Sequence, residues 1–157
     1  MKKSIIQKIV SGGQTGADRA ALDFAIANSI PHGGWCPQGR TAEDGEIDWC
    51  YRLKETPSPS YVERTEWNVR DSDGTVVFST EKELVGGSQL TCHFATNHKK
   101  PCIHLSKVGD GDAAGAKLRQ FILDNKLRIL NVAGPRASTE PAIAEFVKKV
   151  MDAAVFE

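Results

Sequence analysis

The feature that most constrains the fold is a glycine-rich stretch near the amino terminus, Ser11-Gly12-Gly13-Gln14-Thr15-Gly16-Ala17-Asp18-Arg19. An apolar run rich in Ile and Val precedes it at 4–10, and residues 20–27 place Ala, Leu and Ile at helical spacing. This order predicts a strand, a tight turn and a helix. Thr15 and Asp18 have the spacing of a capping box, which predicts that the helix begins directly after Thr15.

Such a turn has two possible roles. In the first, the glycines only allow a sharp connection between strand and helix. In the second, they let a ligand approach the backbone where the helix presents free N–H groups and the positive end of its dipole. The stretch lacks the Gly-Lys-Ser/Thr ending of a P-loop, and it is not G-x-G-x-x-G, so it matches neither signature. The small and polar residues favour an anion site, with predicted ligand contacts from Gly12, Gly13, Gln14, Thr15, Gly16, Asp18 and Arg19.

Composition excludes several classes of protein. The 157 residues predict a single domain over 1–157, and 20 basic residues balance 20 acidic ones, without the basic block that a nucleic-acid partner would require. The apolar runs are too short for a membrane span, and the first residues lose apolar character too early for a secretory signal. The four cysteines are widely spaced, which is typical of reduced thiols. We therefore expect a soluble cytoplasmic protein.

Strand and helix patterns alternate about five times along the chain. This order predicts a Rossmann-like, three-layer α/β fold with a doubly wound, mostly parallel sheet of about five strands. After the first strand and helix, we predict strands over 30–37, 75–79, 102–105 and 129–133, and helices over 61–70, 88–97 and 112–125, with a closing amphipathic helix that Ser138 or Thr139 caps.

Glycines or cations follow nearly every predicted strand. Because ligands of such sheets bind beyond the carboxyl ends of the strands, this placement predicts an electropositive cleft there. It adds further predicted ligand contacts from the turns after the later strands: Arg40, Gly86, Gly87, Ser88, Thr91, Gly134 and Arg136. For Arg40, a solvated loop arginine is the alternative.

The long connection over 41–73 has either structure or function of its own. One interpretation is a lid in which Trp49 or Tyr51 stacks on a flat ligand, and the other is that these aromatics belong to the core. In its helix over 61–70, the charged residues, among them Arg64 and Glu66, are expected to form surface ion pairs.

Signals for catalysis are weaker. Asp18 and Glu66 are candidate carboxylates for acid–base chemistry, although Asp18 is more simply a helix cap. His93 and His98 are five residues apart and do not share a helix face, so we predict no metal site. No serine has a G-x-S-x-G setting, so an esterase triad has no support.

With these residues in place, the sequence resembles the putative molybdenum carrier family, the circularly permuted, YpsA-like branch of the Rossmann-like SLOG superfamily that also contains the LOG and DprA proteins. The resemblance extends over nearly the whole chain. It depends on four blocks: 11–23, Gly33-Gly34-Trp35-Cys36-Pro37, 64–75 and Gly86-Gly87-Ser88-Gln89-Leu90-Thr91.

The resemblance implies a binding or carrier protein for an anionic, phosphate-bearing small ligand: molybdenum cofactor, molybdate or a nucleotide. Enzymes of the superfamily hydrolyse nucleotide monophosphates with an arginine and a Gly-Gly-x-Gly-Thr-x-x-Glu motif. This chain lacks the later glycine and the glutamate of that motif, since Cys92, His93 and Phe94 follow Thr91. A nucleotide N-glycosidase and a sensor module are therefore the alternatives. The resemblance also implies a homodimer, for which the apolar closing helix is a candidate face.

Overall fold

The computed structural model describes residues 2–157. Its helices are α1 (Ala17–Ala27), α2 (Tyr61–Arg70), α3 (Gly86–Asn97), α4 (Lys107–Asp110), α5 (Ala114–Asp124) and α6 (Ile143–Ala154). Its strands are β1 (Lys8–Val10), β2 (His32–Gly33), β3 (Trp35–Cys36), β4 (Thr41–Ala42), β5 (Gly45–Glu46), β6 (Lys54–Glu55), β7 (Gly74–Ser79), β8 (Cys102–Ser106) and β9 (Ile129–Ala133). No helix within 2–157 combines the length and the apolar character that crossing a bilayer requires.

Five strands form one parallel sheet in the order β2-β1-β9-β7-β8, which confirms the predicted Rossmann-like α/β fold. The last strand, β9, is inserted between β1 and β7, and pairs with both in parallel register. The carboxyl ends of β1, β9 and β7 therefore lie side by side at one edge of the sheet. The turns that follow these strands are brought together there.

The two faces of the sheet differ in polarity because successive side chains of a strand alternate between them. Val76, Phe78, Leu130 and Val132 join the apolar core that the sheet forms with α1, α5 and α6. Asn131 lies between the last two of these, and its side-chain amide donates a 3.2 Å hydrogen bond to Thr75 Oγ1. The face turned away from the apolar core is therefore partly polar.

Several predicted elements have the expected bounds. The helix over 61–70 and the strand over 129–133 are confirmed to the residue, and Ser60 Oγ caps the helix by accepting from the Val62 N–H group. The second predicted strand is instead divided at Gly34, whose φ is +123°. A Cβ there would lie 2.4 Å from Ser11 O, so the chain turns away and β3 pairs with β6 outside the main sheet.

The predicted helix starts are less accurate. Gly16, not Thr15, is the N-cap residue of α1, and glycine has no side chain with which to cap the helix. The last helix begins at Ile143 without a cap from Ser138 or Thr139, and the helix predicted from 112 begins as a 3₁₀ turn before α5. The prediction that the closing helix offers an apolar face to a partner is wrong, because its apolar residues pack in the chain's own core: Ile143, Phe146, Val147, Val150, Met151 and Ala154.

The two ends of the described chain meet. Ser4 and Phe156 form an antiparallel bridge, and the Glu157 N–H group donates to Lys3 O at 2.9 Å. The Ile5 N–H group donates to Val155 O at 2.7 Å. The first predicted strand is correspondingly shorter than expected, because only Lys8–Val10 joins the sheet.

Candidate functional site

A cavity of about 350 Å³ lies where the carboxyl ends of β1, β9 and β7 meet the amino-terminal ends of α1 and α3. Its walls come from the turn after β1, the turn after β9, the first turns of α3 and the inward face of α2. The volume falls within the range of about 300–1,000 Å³ that is typical of small-molecule sites. This position agrees with the rule that parallel sheets bind ligands beyond the carboxyl ends of their strands.

The cavity brings together most of the residues that the sequence analysis selected for ligand contact. Those that line it are Gly12, Gln14, Asp18, Gly86, Gly87, Ser88, Thr91, Gly134 and Arg136. Five others do not line it: Gly13, Thr15, Gly16, Arg19 and Arg40.

The glycines of the first turn are required mainly by packing. A Cβ on Gly12 would lie 2.5 Å from Arg64 Cδ, one on Gly13 would lie 2.7 Å from Leu53 Cδ1, and one on Gly16 would lie 2.4 Å from Pro135 O. Gly13 and Gly16 also have positive φ angles of 83° and 82°. Gly87 is different, because a Cβ on it would meet nothing within 4 Å. The interpretation that the first glycines close a tight turn therefore explains their presence.

Two arginines that were predicted to bind an anion, Arg19 and Arg40, are instead paired with other groups of the protein. Arg19 forms a two-point ion pair with Asp44, with N–O distances of 2.5 and 2.8 Å. Arg40 is buried, and its guanidinium donates to the backbone carbonyls of Ile47, Asp48, Tyr51 and Leu53. Neither alternative considered for Arg40 is correct, because this side chain organises the connection from within.

Hydrogen bonds join the connection to the glycine turn and to the turn after β9. The Glu43 carboxylate accepts hydrogen bonds from Thr15 Oγ1 and from the hydroxyl and the N–H group of Ser138. These bonds hold the pKa of Glu43 below its usual value.

The two aromatic residues that were predicted to stack on a ligand lie elsewhere. Trp49 is 69% exposed beside Arg40, and the Tyr51 hydroxyl donates to Asp23 at 2.6 Å. Neither aromatic lines the cavity.

Asp18 and Arg64 form a buried pair at the floor of the cavity. Each residue is 7% exposed, and Arg64 Nη1 lies 3.9 Å from Asp18 Oδ2 and donates to Gly12 O at 2.8 Å. Burial raises the pKa of the Asp18 carboxyl above its usual value, although Arg64 and the Gln14 N–H group oppose the shift. Asp18 therefore accepts a backbone N–H group near the helix start, but from Gln14 and not from Thr15 as the predicted capping box requires.

Arg64 is a site residue that was not predicted from the sequence, because it was assigned to a surface ion pair. Its signal was present as a helical stripe at spacings of three and four, Tyr61, Arg64, Thr65 and Asn68, all of which line the cavity. Glu66 faces the other way, with its carboxylate 3.0 Å from His98 Nε2, and does not line the cavity.

Two side-chain nitrogen groups in the cavity walls make no hydrogen bond or ion pair within residues 2–157. The Arg136 guanidinium makes no hydrogen bond or ion pair there, and lies 5.6 Å from the Tyr61 ring, which the Arg64 guanidinium approaches at 5.1 Å. Gln14 is 5% exposed, and its side-chain oxygen accepts from Thr15 N and Glu43 N, whereas its Nε2 lacks an acceptor. An orphaned buried donor costs free energy, so an acceptor supplied by a ligand would be favourable.

The charges around the cavity are mixed. Besides the two arginines and Asp18, the walls contain Glu83 and Glu140, so the predicted electropositive cleft is positive only in part. Glu140 Oε1 accepts from the Thr80 N–H group at 2.5 Å, which directs part of its charge into the protein. Ser79 also lines the cavity, with its Oγ 2.6 Å from His104 Nε2. Within 2–157, no three His, Cys, Asp or Glu side chains are grouped as ligands for a metal ion.

The comparisons with known proteins agree with this architecture. The model of the circularly permuted YpsA SLOG family matches residues 9–155. A crystal structure from Syntrophus aciditrophicus SB, described as a putative molybdenum carrier protein, is 47% identical and superposes with a TM-score of 0.91, over 97% of this chain and 96% of that one. No curated protein matched the sequence. The chain therefore belongs to the circularly permuted YpsA family of SLOG proteins.

Proposed function

We propose that the protein binds or carries an anionic, phosphate-bearing small molecule in the cavity. The observation that carries this proposal is the unpaired Arg136 guanidinium in a wall that also contains the start of α3 and the orphaned Gln14 Nε2. Each of these supplies hydrogen-bond donors or positive charge to one space. Donors of this kind recognise phosphate and other oxyanions.

The name of the structural neighbour points to molybdenum, as molybdate or as molybdenum cofactor, and a nucleotide is the other candidate. Arg136, Gln14 Nε2 and the α3 N–H groups fit an oxyanion of either kind. A cavity of about 350 Å³ offers far more room than a tetrahedral oxyanion fills. This volume favours a ligand that joins an anionic group to a larger body, such as a pterin or a nucleoside.

The remaining wall suits such a body. Val62, Leu84, Val85 and Leu90 supply apolar surface, and Val62 and Val85 are 51% and 69% exposed. Tyr61 adds an aromatic ring beside the two arginines. A ligand with a phosphate at Arg136 and a flat ring against this wall would satisfy both halves of the cavity.

The test is a thermal-shift titration of the protein with molybdate, molybdopterin, AMP and ADP-ribose, followed by calorimetry. Binding stabilises the native state by mass action, so a true ligand raises the melting temperature with increasing concentration. We expect Arg136→Gln to weaken binding of that ligand about tenfold or more.

Arg128→Gln is the matched control, because this exposed arginine precedes β9 whereas Arg136 follows it. The control should bind as the wild type does. The proposal fails if no ligand shifts the melting temperature at millimolar concentration, or if both variants bind alike.

Asp18 supports a second candidate, a nucleotide N-glycosidase. A buried carboxyl with a raised pKa, facing a ligand cavity beside an arginine, is an arrangement used for proton transfer. Incubation with nucleoside monophosphates and chromatography of released base tests this candidate. Release should be abolished by Asp18→Asn and retained by Glu66→Gln, whose carboxylate pairs with His98 outside the cavity.

We also propose that the chain forms a homodimer, as the family resemblance implies. Light scattering on the purified chain tests this proposal. A mass of twice 17.1 kDa supports it, and a mass of 17.1 kDa overturns it.

A further inference from the structure

Two cysteines outside the cavity lie side by side. Cys92 is on α3 and Cys102 is the first residue of β8, and their sulfur atoms are 3.7 Å apart. Both residues are half-buried, so each is partly accessible to solvent, and β8 is an edge strand of the sheet. The other two cysteines differ, since Cys36 is buried and Cys50 is exposed, and neither has a sulfur partner within 2–157.

We propose that Cys92 and Cys102 are a redox-active pair that hydroperoxides oxidise to a disulfide. The sulfur atoms must approach by about 1.7 Å to reach the disulfide bond length of about 2.05 Å, and they lie on two elements that contact each other. The nine residues that separate them in sequence form the end of α3 and the turn into β8, so proximity arises from the fold and not from a C-x-x-C motif.

The two sulfurs have different chemical roles. The two thiols share one hydrogen bond in which either sulfur can donate. With Cys102 as the donor, this bond lowers the pKa of Cys92 to about 7 and, together with burial, raises the pKa of Cys102. Cys92 is therefore the thiolate that attacks, because the thiolate is the nucleophilic form.

The reaction balances with one hydroperoxide. The Cys92 thiolate attacks the terminal peroxide oxygen, the O–O bond breaks, and the leaving alkoxide or hydroxide takes up a proton. Cys102 then loses its proton and attacks the Cys92 sulfenic acid, which releases hydroxide that is protonated to water. Two thiols lose two electrons in total, and the peroxide gains them.

Oxidation would act on one wall of the ligand cavity. Thr91 lines the cavity and directly precedes Cys92, and the first turn of α3 places Gly86 and Gly87 in open space. A bond from Cys92 to β8 would tether this helix to the sheet. This consequence depends on the proposed ligand site, whereas formation of the disulfide does not.

Peptide mapping of the oxidised full-length protein tests the pair directly. The reduced protein is treated with one equivalent of hydrogen peroxide, blocked with N-ethylmaleimide and digested with trypsin without reduction. We expect peptide 83–99 to be joined to peptide 100–107, and dithiothreitol to separate them. Peptide 41–52, which carries Cys50, should remain unlinked.

Three variants make the test specific. Cys50→Ser should cross-link as the wild type does. Cys102→Ser should leave a Cys92 sulfenic acid that dimedone traps, and Cys92→Ser should slow oxidation of Cys102 by about tenfold or more. The proposal is overturned if peptides 83–99 and 100–107 stay separate after peroxide treatment, whether or not Cys50 is oxidised, or if the two single variants react at equal rates.

Hydrogen exchange measures the effect on the cavity wall. Amides over 86–97 should exchange more slowly in the oxidised protein than in the reduced one. A cross-link that forms without this change would overturn the effect on α3. Neither measurement uses a ligand, so failure here is distinguishable from failure of the proposed binding function.

Discussion

At the scale of single residues, the glycines divide into those that the packing requires and those that leave space. Gly16 combines a φ of +82° with a neighbouring carbonyl that a Cβ would approach to 2.4 Å, whereas Gly87 has open space around it. Packing and backbone angle thus require glycine after β1, whereas no neighbouring atom would oppose a side chain at Gly87 near the start of α3.

This contrast predicts opposite outcomes for the same substitution. Gly16→Ala should destabilise the protein by roughly 2–4 kcal/mol, because both the backbone angle and the Pro135 carbonyl oppose a side chain. Gly87→Ala should stabilise it by about 0.5 kcal/mol, because alanine favours a helix. Urea unfolding of both variants measures the difference, and equal free energies of unfolding would contradict this assignment.

Asp18 permits a test of the buried carboxyl. Burial raises the folded-state pKa above the unfolded value of 3.8, so the carboxyl's contribution to stability is complete below that value and is lost as pH rises through the folded pKa. Asp18→Asn removes this loss and should raise the melting temperature at pH 7 more than at pH 4. A variant that is less stable than the wild type at pH 7 would show that the Arg64 pair outweighs the cost of burial.

Local sequence explained some site residues and not others. The conjunction of glycines and Arg136 after parallel strands was sufficient to predict the cavity, because the carboxyl ends of such strands share an edge. Arg64 and Arg40 were interpreted incorrectly because the fate of an arginine depends on what packs over it. The partners of Arg40 are carbonyls up to thirteen residues away along the connection, and Arg64 contacts Gly12 at a separation of 52 residues.

At the scale of elements, one buried side chain organises the first part of the connection, residues 41–56. Arg40 donates to four carbonyl oxygens, and the Ile47 and Leu53 side chains that this arrangement positions pack against Gly13. Correct formation of the glycine turn therefore depends on an element that has almost no regular structure.

Arg40→Lys should loosen this connection selectively. A lysine has the same positive charge but cannot reach four carbonyl oxygens with one planar group, so we expect a loss of roughly 2 kcal/mol. Limited proteolysis should show faster cleavage within 41–56, with Arg52→Lys as the exposed control. Cleavage at the same rate in both variants would indicate that other contacts hold the connection.

Elements with local signals were predicted well, and those set by distant contacts were not. Helix α2 has its own cap in Ser60, and β9 is apolar on both sides of a single Asn, so their bounds follow from neighbouring residues. The strand predicted over 30–37 is divided because Gly34 packs against Ser11 and Asn68, which lie far away in the sequence. A window of sequence carries no signal for that contact.

At the scale of the whole molecule, acidification should destabilise the protein in two stages, which the protonation of the buried Asp18 carboxyl opposes. Burial lowers the folded-state pKa of His32 and His104 below 6.5, so their contribution is present above 6.5 and is lost as pH falls through the folded values. The carboxylates of Asp44 and Asp71 have folded pKa values below 3.8, because Arg19 and Arg70 donate to them. Their contribution is lost only below pH 3.8.

Urea unfolding from pH 8 to pH 3 measures this profile. We expect the free energy of unfolding to fall as the pH is lowered below about 6.5, and again below about pH 4. Replacing both His32 and His104 with glutamine should flatten the first stage and leave the second. A first stage that persists in this double variant would mean that other groups titrate there.

Because a backbone hydrogen bond joins Lys3 to Glu157, these two residues are close enough for a short linker to connect them. A short glycine–serine linker from Glu157 to Lys2, with new ends opened at the exposed Gly111, would give a rearranged polypeptide with every strand pairing retained. We expect this rearranged protein to fold with the native circular dichroism spectrum and, where a ligand is found, the native affinity. Chain ends that are joined by backbone hydrogen bonds allow a circular permutation of the gene to preserve the fold.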